Sequence, residues 1–192
     1  IGHSMGAVLI LLIEIQNPGK FKKIFLLDPV ITSWFKSLVY KSLFAMKLID
    51  KFHPMIQRTN NKKIEYSSRE SIYRNYRRKN IFNKLNDAAL NHYINSIITK
   101  NKNGIKIILS KEWENAIYRN GSMHDFWIWR NIKKIEVPVY VLTPKNNEFG
   151  HFNYGRKLKS RNNNFSNLTI NDSSHLFPLE KAKETSDLIL SN

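Results

Sequence analysis

The chain has 192 residues, 42% of them hydrophobic, which suits one globular domain with a real core. It carries 31 Lys and Arg against 15 Asp and Glu, a formal net charge of +16, and no cysteine. A disulfide framework and a thiolate metal site are therefore excluded, and the apolar run over 7–15 is too short to span a bilayer and is broken by Glu14.

Gly2-His3-Ser4-Met5-Gly6 opens the chain with the pattern G-x-S-x-G. At a sharp strand-to-helix turn the serine sits on strained backbone and its neighbours must be small, a demand met by Gly2 and Gly6. Such a turn lifts the Ser4 hydroxyl clear of a sheet. It leaves the Met5 N–H at a helix N-terminus, where an oxyanion would form. His3, inside the elbow, reads as structural, with its ring directed away from Ser4. Residues 7–15 predict a buried helix, stopped by Asn17-Pro18-Gly19. The apolar run IFLL at 24–27 predicts a parallel strand covered on both faces, ended by Asp28-Pro29.

An apolar-rich helix is expected over 33–52, stopped by His53-Pro54, and a polar loop over 58–63. Ser67 offers an N-cap, with Glu70 three residues on as a capping box, for a helix to about Arg78. Another helix is expected over 85–99 with Asn86 as its cap. A turn at 101–104, a short apolar strand at 105–109 and a helix from Ser110 to Arg119 follow, with Glu112 in the first turn of that helix. Asn120-Gly121 reads as a turn, and Asp125-Phe126-Trp127 leads onward. Trp34, Phe35, Phe44, Met46, Phe82, Trp113, Phe126 and Trp127 read either as core or as the lining of an apolar acyl pocket.

The positive charge is scattered along the chain. Its densest run is Arg74-Asn75-Tyr76-Arg77-Arg78-Lys79, which has aromatic interleaving but no accompanying nucleic-acid-binding motif. This reads as a solvated surface, so a nucleic-acid partner is not expected.

Residues 1–31 resemble the α/β-hydrolase family from its nucleophile onward, and the tail agrees. Residues 136–142 are similar to the family strand that enters after a short I-x-x-P lead. Residues 168–170 and the run from Asn171 to Glu180 are similar to its last strand, catalytic-histidine loop and closing helix. The likeness covers the two ends, about half of the chain. It implies an α/β class and a truncated α/β-hydrolase fold: a mostly parallel sheet flanked by helices, with core segments 1–31 and 126–192 and an inserted helical cap over 32–125. The family's earlier strands and the loop giving a second oxyanion N–H are absent from this sequence. The chain is therefore expected to be a fragment, poorly soluble and inactive by itself. The lack of cysteine suits a reducing cytoplasm.

A serine hydroxyl needs a base, and the base needs a carboxylate to fix its tautomer. The resemblance makes Ser4 the nucleophile, the Met5 N–H an oxyanion donor, and His175 the base. His53, His92, His124 and His151 show no metal spacing, and no metal or cofactor is expected. The family's usual acid slot, aligned on Pro138, holds Asn147, an amide. Two carboxylates remain: Asp28, placed as in haloalkane dehalogenases after the strand following the nucleophile helix, and Glu148. Asp28 is favoured: it stands at the carboxyl end of a strand, where such sheets face their ligand crevice, and it keeps the order Ser4, acid, His175, whereas Glu148 is one residue off the usual slot, a shift that re-aims a side chain in a turn. Asp125 and Asp172 are weaker candidates.

The resemblance implies a serine hydrolase of a small apolar ester, thioester or related carbonyl compound, acting through an acyl-enzyme. A catalytically inactive binding protein of the same fold, suggested by Asn147, and a basic nucleic-acid or membrane-surface binder are the alternatives.

Overall fold

A computed structural model describes residues 1–102, 104–145 and 154–192. The chain forms two compact units, Ile1–Val39 with Ser122–Asn192, and Tyr40–Gly121. The first begins with β1 (Gly2–His3), α1 (Met5–Gln16), β2 (Ile24–Leu27) and α2 (Trp34–Ala45), within which the division falls. The second contains α3 (Ile49–Phe52), α4 (Pro54–Asn60), β3 (Glu65–Tyr66), α5 (Arg69–Arg77), α6 (Asp87–Ser96), β4 (Ile98–Asn101), β5 (Gly104–Ile107) and α7 (Lys111–Gly121). The chain returns to the first unit with α8 (Asp125–Asn131), β6 (Val139–Pro144), α9 (Tyr154–Lys159), β7 (Phe165–Ile170), α10 (Phe177–Glu180) and α11 (Ala182–Leu190).

The first unit is a parallel sheet in the order β1-β2-β6-β7, with helices on both faces. All four residues of β2 are buried, as a central parallel strand requires. Its side chains alternate. Ile24 and Leu26 pack with Ala7, Val8 and Leu11 of α1 and with Ile128 of α8. Phe25 and Leu27 pack on the opposite face with Leu142, Ile170 and Phe177, against Leu188 and Ile189 of α11.

The carboxylate inside the apolar helix α1 has a structural use. Glu14 is 1% exposed, and a buried charge needs hydrogen bonds. Its oxygens accept from the Gly19 N–H (2.7 Å) and the Phe21 N–H (3.3 Å), so Glu14 holds the turn that leads into β2. Leu9 and Ile13 on the same helix stay exposed.

The second unit departs from expectation in several places, among them the turn expected at Asn120-Gly121, which is instead the end of α7. The helix expected over 33–52 is two helices, because Lys47 adopts φ 58° and breaks the run between Ala45 and Ile49. The expected polar loop at 58–63 begins inside a helix, since Pro54 at the first helical position and the His53 Nδ1 accepting from the Met55 N–H start α4 there. The capping box lies one residue later than expected. Ser68 Oγ accepts from the Ser71 N–H at 3.2 Å and the Ser71 Oγ accepts in return from the Ser68 N–H at 3.4 Å. The helix expected over 85–99 stops at Ser96, and the β-branched residues Ile98 and Thr99 enter β4. An antiparallel sheet, β3-β5-β4, thus accompanies the helices. Asn86 and Ser110 do cap α6 and α7, accepting from the Ala89 and Trp113 N–H groups.

The basic run at 74–79 is partly occupied within this unit. Arg77 donates to the Phe82 and Leu85 carbonyls and pairs with Asp87, and the Lys79 ammonium lies 4.1 Å from the Tyr76 ring centroid.

Candidate active site

The site is assembled at the carboxyl ends of the parallel strands. β1 pairs with β2 so that His3 lies beside Leu27, and the Ser4 N–H donates to the Leu27 carbonyl at 2.9 Å. Ser4 then turns the chain into α1 with φ 56° and ψ −119°. A non-glycine residue held there stores roughly 1–3 kcal/mol of strain, so the surrounding structure must impose it. Gly2 makes this approach feasible: a Cβ on Gly2 would meet the Gly6 carbonyl oxygen at 2.6 Å. The expectation that Gly6 supplies room in the same way is corrected. A Cβ on Gly6 meets nothing within 4 Å among the described residues, so what matters at this position is its backbone facing Gly2. Ser4 is the N-cap of α1, yet its hydroxyl caps nothing, which leaves Oγ for another partner. Met5 is the first residue of α1, and its N–H has no carbonyl within the helix to bond.

Asp28 follows β2, as Ser4 follows β1. It is also at positive φ, 41°, and its N–H donates to the Leu142 carbonyl at 2.8 Å. The side chain is buried, with Oδ2 lying 2.7 Å from His175 Nδ1. The other ring nitrogen, Nε2, lies 3.0 Å from Ser4 Oγ. An ionised carboxylate only accepts, so Nδ1 carries the proton toward Asp28. That leaves Nε2 as an acceptor, to which the Ser4 hydroxyl donates.

His175 belongs to the irregular segment between β7 and α10. Two groups pin that segment. The Ser173 hydroxyl donates to the Ile170 carbonyl at 2.8 Å. Ser174 donates to both oxygens of Glu180, from its N–H at 2.8 Å and from its hydroxyl. A charged acceptor of this kind is worth more than a neutral one, and it anchors the loop that carries His175 to α10.

The remaining candidates separate by position. Glu148, Asn147 and His151 lie outside the described residues. Asp172 is exposed at φ 46°. Asp125 is fully buried, and its Oδ2 accepts from the Thr32 N–H at 2.8 Å and the Thr32 hydroxyl at 2.7 Å. Burial pushes the Asp125 carboxyl up to about 6, with the two Thr32 bonds opposing. This residue ties down the segment that leaves Asp28. His53 is enclosed in the second unit by the Tyr40 and Tyr118 rings, while His92 and His124 are exposed. Of the aromatic candidates for a pocket, Phe82 is buried against Tyr76 and Tyr93, whereas Trp34, Phe35 and Trp113 are exposed.

His3 has a specific tertiary partner that its sequence reading did not name. Its ring centroid lies 4.7 Å from that of His175, and its Nε2 lies 2.8 Å from the His175 carbonyl oxygen. Burial lowers its basicity, as does the nearby His175 ring, against the raising effect of the bond to that carbonyl. The signal for this was period-two alternation. Laterally paired residues of a parallel sheet share a face, and Leu27, the partner of His3, packs with Phe177 just beyond His175.

Among the described residues, no group of three His, Asp or Glu side chains could hold a metal ion, and no helix is long and apolar enough to cross a membrane.

No family model matches this sequence, and no curated protein sequence matches it. Solved structures do. A thioesterase domain from the curacin biosynthetic pathway superposes with a TM-score of 0.71 at 15% identity, over 100% of this chain and 65% of the other. E-2-(acetamidomethylene)succinate hydrolase gives 0.72 at 11% identity, over 99% and 64%. A peroxisomal alpha-beta-hydrolase from Saccharomyces cerevisiae gives 0.72 at 17%, over 98% and 50%. The chain thus spans between half and about two-thirds of the length of these similar structures. With its parallel sheet, its helices on both faces and its strand–Ser4–helix turn, the chain has the α/β-hydrolase fold.

Proposed function

We propose that the protein is a serine hydrolase that cleaves an ester, thioester or related carbonyl substrate through an acyl-enzyme. The observation that carries this reading is the unbroken chain from Ser4 Oγ to His175 Nε2 (3.0 Å) and from His175 Nδ1 to Asp28 Oδ2 (2.7 Å).

In this reading Ser4 Oγ attacks the substrate carbonyl carbon while His175 Nε2 takes its proton. Asp28 keeps the Nδ1 proton in place and stabilises the imidazolium that forms. The negative oxygen of the tetrahedral intermediate is met by the Met5 N–H at the N-terminus of α1. The intermediate collapses as His175 returns the proton to the leaving group, giving acyl-Ser4. Water then repeats the cycle, with His175 again taking the proton. No step calls on a cofactor.

The substrate class is supported by the reaction type and by the similar structures, which include a thioesterase domain and a hydrolase. Domain roles follow the same reading, with the unit Tyr40–Gly121 as the inserted cap. The test is mass spectrometry of the intact protein mixed with a short-chain p-nitrophenyl ester. An acyl adduct on Ser4, together with a burst of nitrophenolate, supports the proposal. Turnover that persists in Ser4→Ala excludes it.

A further inference from the structure

The residue before the candidate nucleophile is tied to the candidate base, and the catalytic scheme above does not use it. We propose that His3 is a positioning residue: its Nε2–H, donated to the His175 carbonyl, and its ring, packed on the His175 ring, hold the imidazole in register with Ser4. This inference rests on the serine-hydrolase reading and deepens it.

Three observations support it. First, a carbonyl can only accept, so the 2.8 Å contact requires the proton on His3 Nε2. Second, the two rings lie 4.7 Å apart with an interplanar angle of 35°, and the Phe177 ring meets His3 edge-on at 6.4 Å. The His3 ring is thus wedged between the base and the helix that follows it, where it limits rotation of the imidazole. Third, the other anchors of this segment reach elsewhere. Ser173 bonds back to β7 and Ser174 bonds forward to α10. The His3 bond joins the main chain of the base to the strand that carries the nucleophile. Because His3 and Ser4 are adjacent, that bond sets the distance between Ser4 Oγ and His175 Nε2 through very few rotatable bonds.

Burial and the neighbouring His175 ring favour the neutral form of His3, and that form keeps the Nε2–H that the bond uses. A displacement of about 1 Å between reacting groups can cost on the order of 100-fold in rate. Loss of the His3 contact is therefore expected to appear in kcat rather than in KM.

The experiment compares wild type, His3→Phe, His3→Gln and His175→Ala in the intact protein, with p-nitrophenyl butyrate as substrate. Rates are normalised to the fraction of Ser4 that a fluorophosphonate labels at completion, which removes any loss of folded protein. His3→Phe keeps a ring but has no donor, and its kcat is expected to fall about 10- to 100-fold with KM within about twofold. His3→Gln restores a donor and should recover part of the loss. A second readout needs no turnover: the low-field proton NMR signal of the His175 Nδ1–H bonded to Asp28 should broaden or vanish in His3→Phe and return in His3→Gln. Wild-type kcat in His3→Phe, with His175→Ala inactive, would overturn the role of His3 and leave the hydrolase reading standing. If the wild type itself neither turns over nor labels, the hydrolase reading fails. An unchanged NMR signal in His3→Phe would then overturn the positioning role as well.

Discussion

Ser4 and Asp28 leave adjacent parallel strands at the same level, each following one of the paired residues His3 and Leu27. The Ser4 N–H bonds the Leu27 carbonyl, and the next residue, Asp28, turns its own N–H to the Leu142 carbonyl of the third strand. Both residues sit at positive φ, 56° and 41°. The shared twist at the strand ends raises both side chains toward the same loop, the one that carries His175. Two of the three members of the candidate site are thus placed by backbone bonds at the ends of the sheet's strands.

The first prediction concerns Asp28. Asp28→Asn keeps the size of the side chain but presents an amide to His175 Nδ1, which favours the wrong tautomer. A loss in kcat on the order of 10⁴ is expected, with KM and thermal midpoint little changed. Steady-state kinetics on a nitrophenyl ester checks this. A loss below about tenfold would hand the role of the acid to another carboxylate.

A second prediction concerns the clamp on the loop that carries His175. Glu180 accepts both the N–H and the hydroxyl of Ser174. Hydrogen bonds to a charged group contribute about 1.5–3 kcal/mol each. Glu180→Ala leaves both donors without that carboxylate; Glu180 is only half-buried, so urea unfolding should show the low end of two such bonds, about 3 kcal/mol, with Glu180→Gln recovering part of it.

Acid stability supplies a third. Asp125 is raised from 3.8 to about 6 by burial, so the folded protein holds this proton more tightly than the unfolded chain does. The stabilisation is fully present below pH 3.8 and is lost as pH rises through about 6. At about 1.4 kcal/mol per pH unit, the loss is on the order of 3 kcal/mol. Asp125→Asn lacks this titration. The difference in unfolding free energy, wild type minus Asp125→Asn, should therefore decline between pH 4 and pH 7, and a difference independent of pH would refute the assignment. His3 acts in the opposite sense, since its lowered basicity gives stability that is lost as pH falls below 6.5. Comparison with a variant at the single position is what isolates Asp125.

The elements that bear on the site were readable because each depends on local pattern. The IFLL run could only be a strand covered on both faces, and Asp28-Pro29 could only follow its end. The G-x-S-x-G spacing, read together with the apolar run at 7–15 and the strand that follows it, places Ser4 at a strand-to-helix turn. What escaped the sequence depends on tertiary contact. Lys47 carries no local mark of the left-handed backbone that splits the helix expected over 33–52. Ile98 and Thr99 continue an apolar periodicity that suits a helix, and they become a strand because β5 is there to pair with them. His3 looked inert because the loop that touches it lies 172 residues away. The usual acid slot at Asn147, with Glu148 beside it, falls outside the described residues.

A fourth prediction tests the elbow itself. Gly2→Ala places a methyl group 2.6 Å from the Gly6 carbonyl oxygen, which is backbone and cannot rotate away. Overpacking of this kind costs about 1–3 kcal/mol and would displace Ser4 from the imidazole. Differential scanning calorimetry should show a lower midpoint, and esterase activity per folded molecule should fall with it.

The most direct test of the central claim is the rate at which a fluorophosphonate modifies Ser4 in the intact protein, followed by peptide mass spectrometry. Activation by the imidazole predicts a single modified residue, Ser4, labelled rapidly in the wild type, at least 100-fold more slowly in His175→Ala, and not at all in Ser4→Ala. Labelling of Ser4 at the same rate with and without the His175 ring would contradict it.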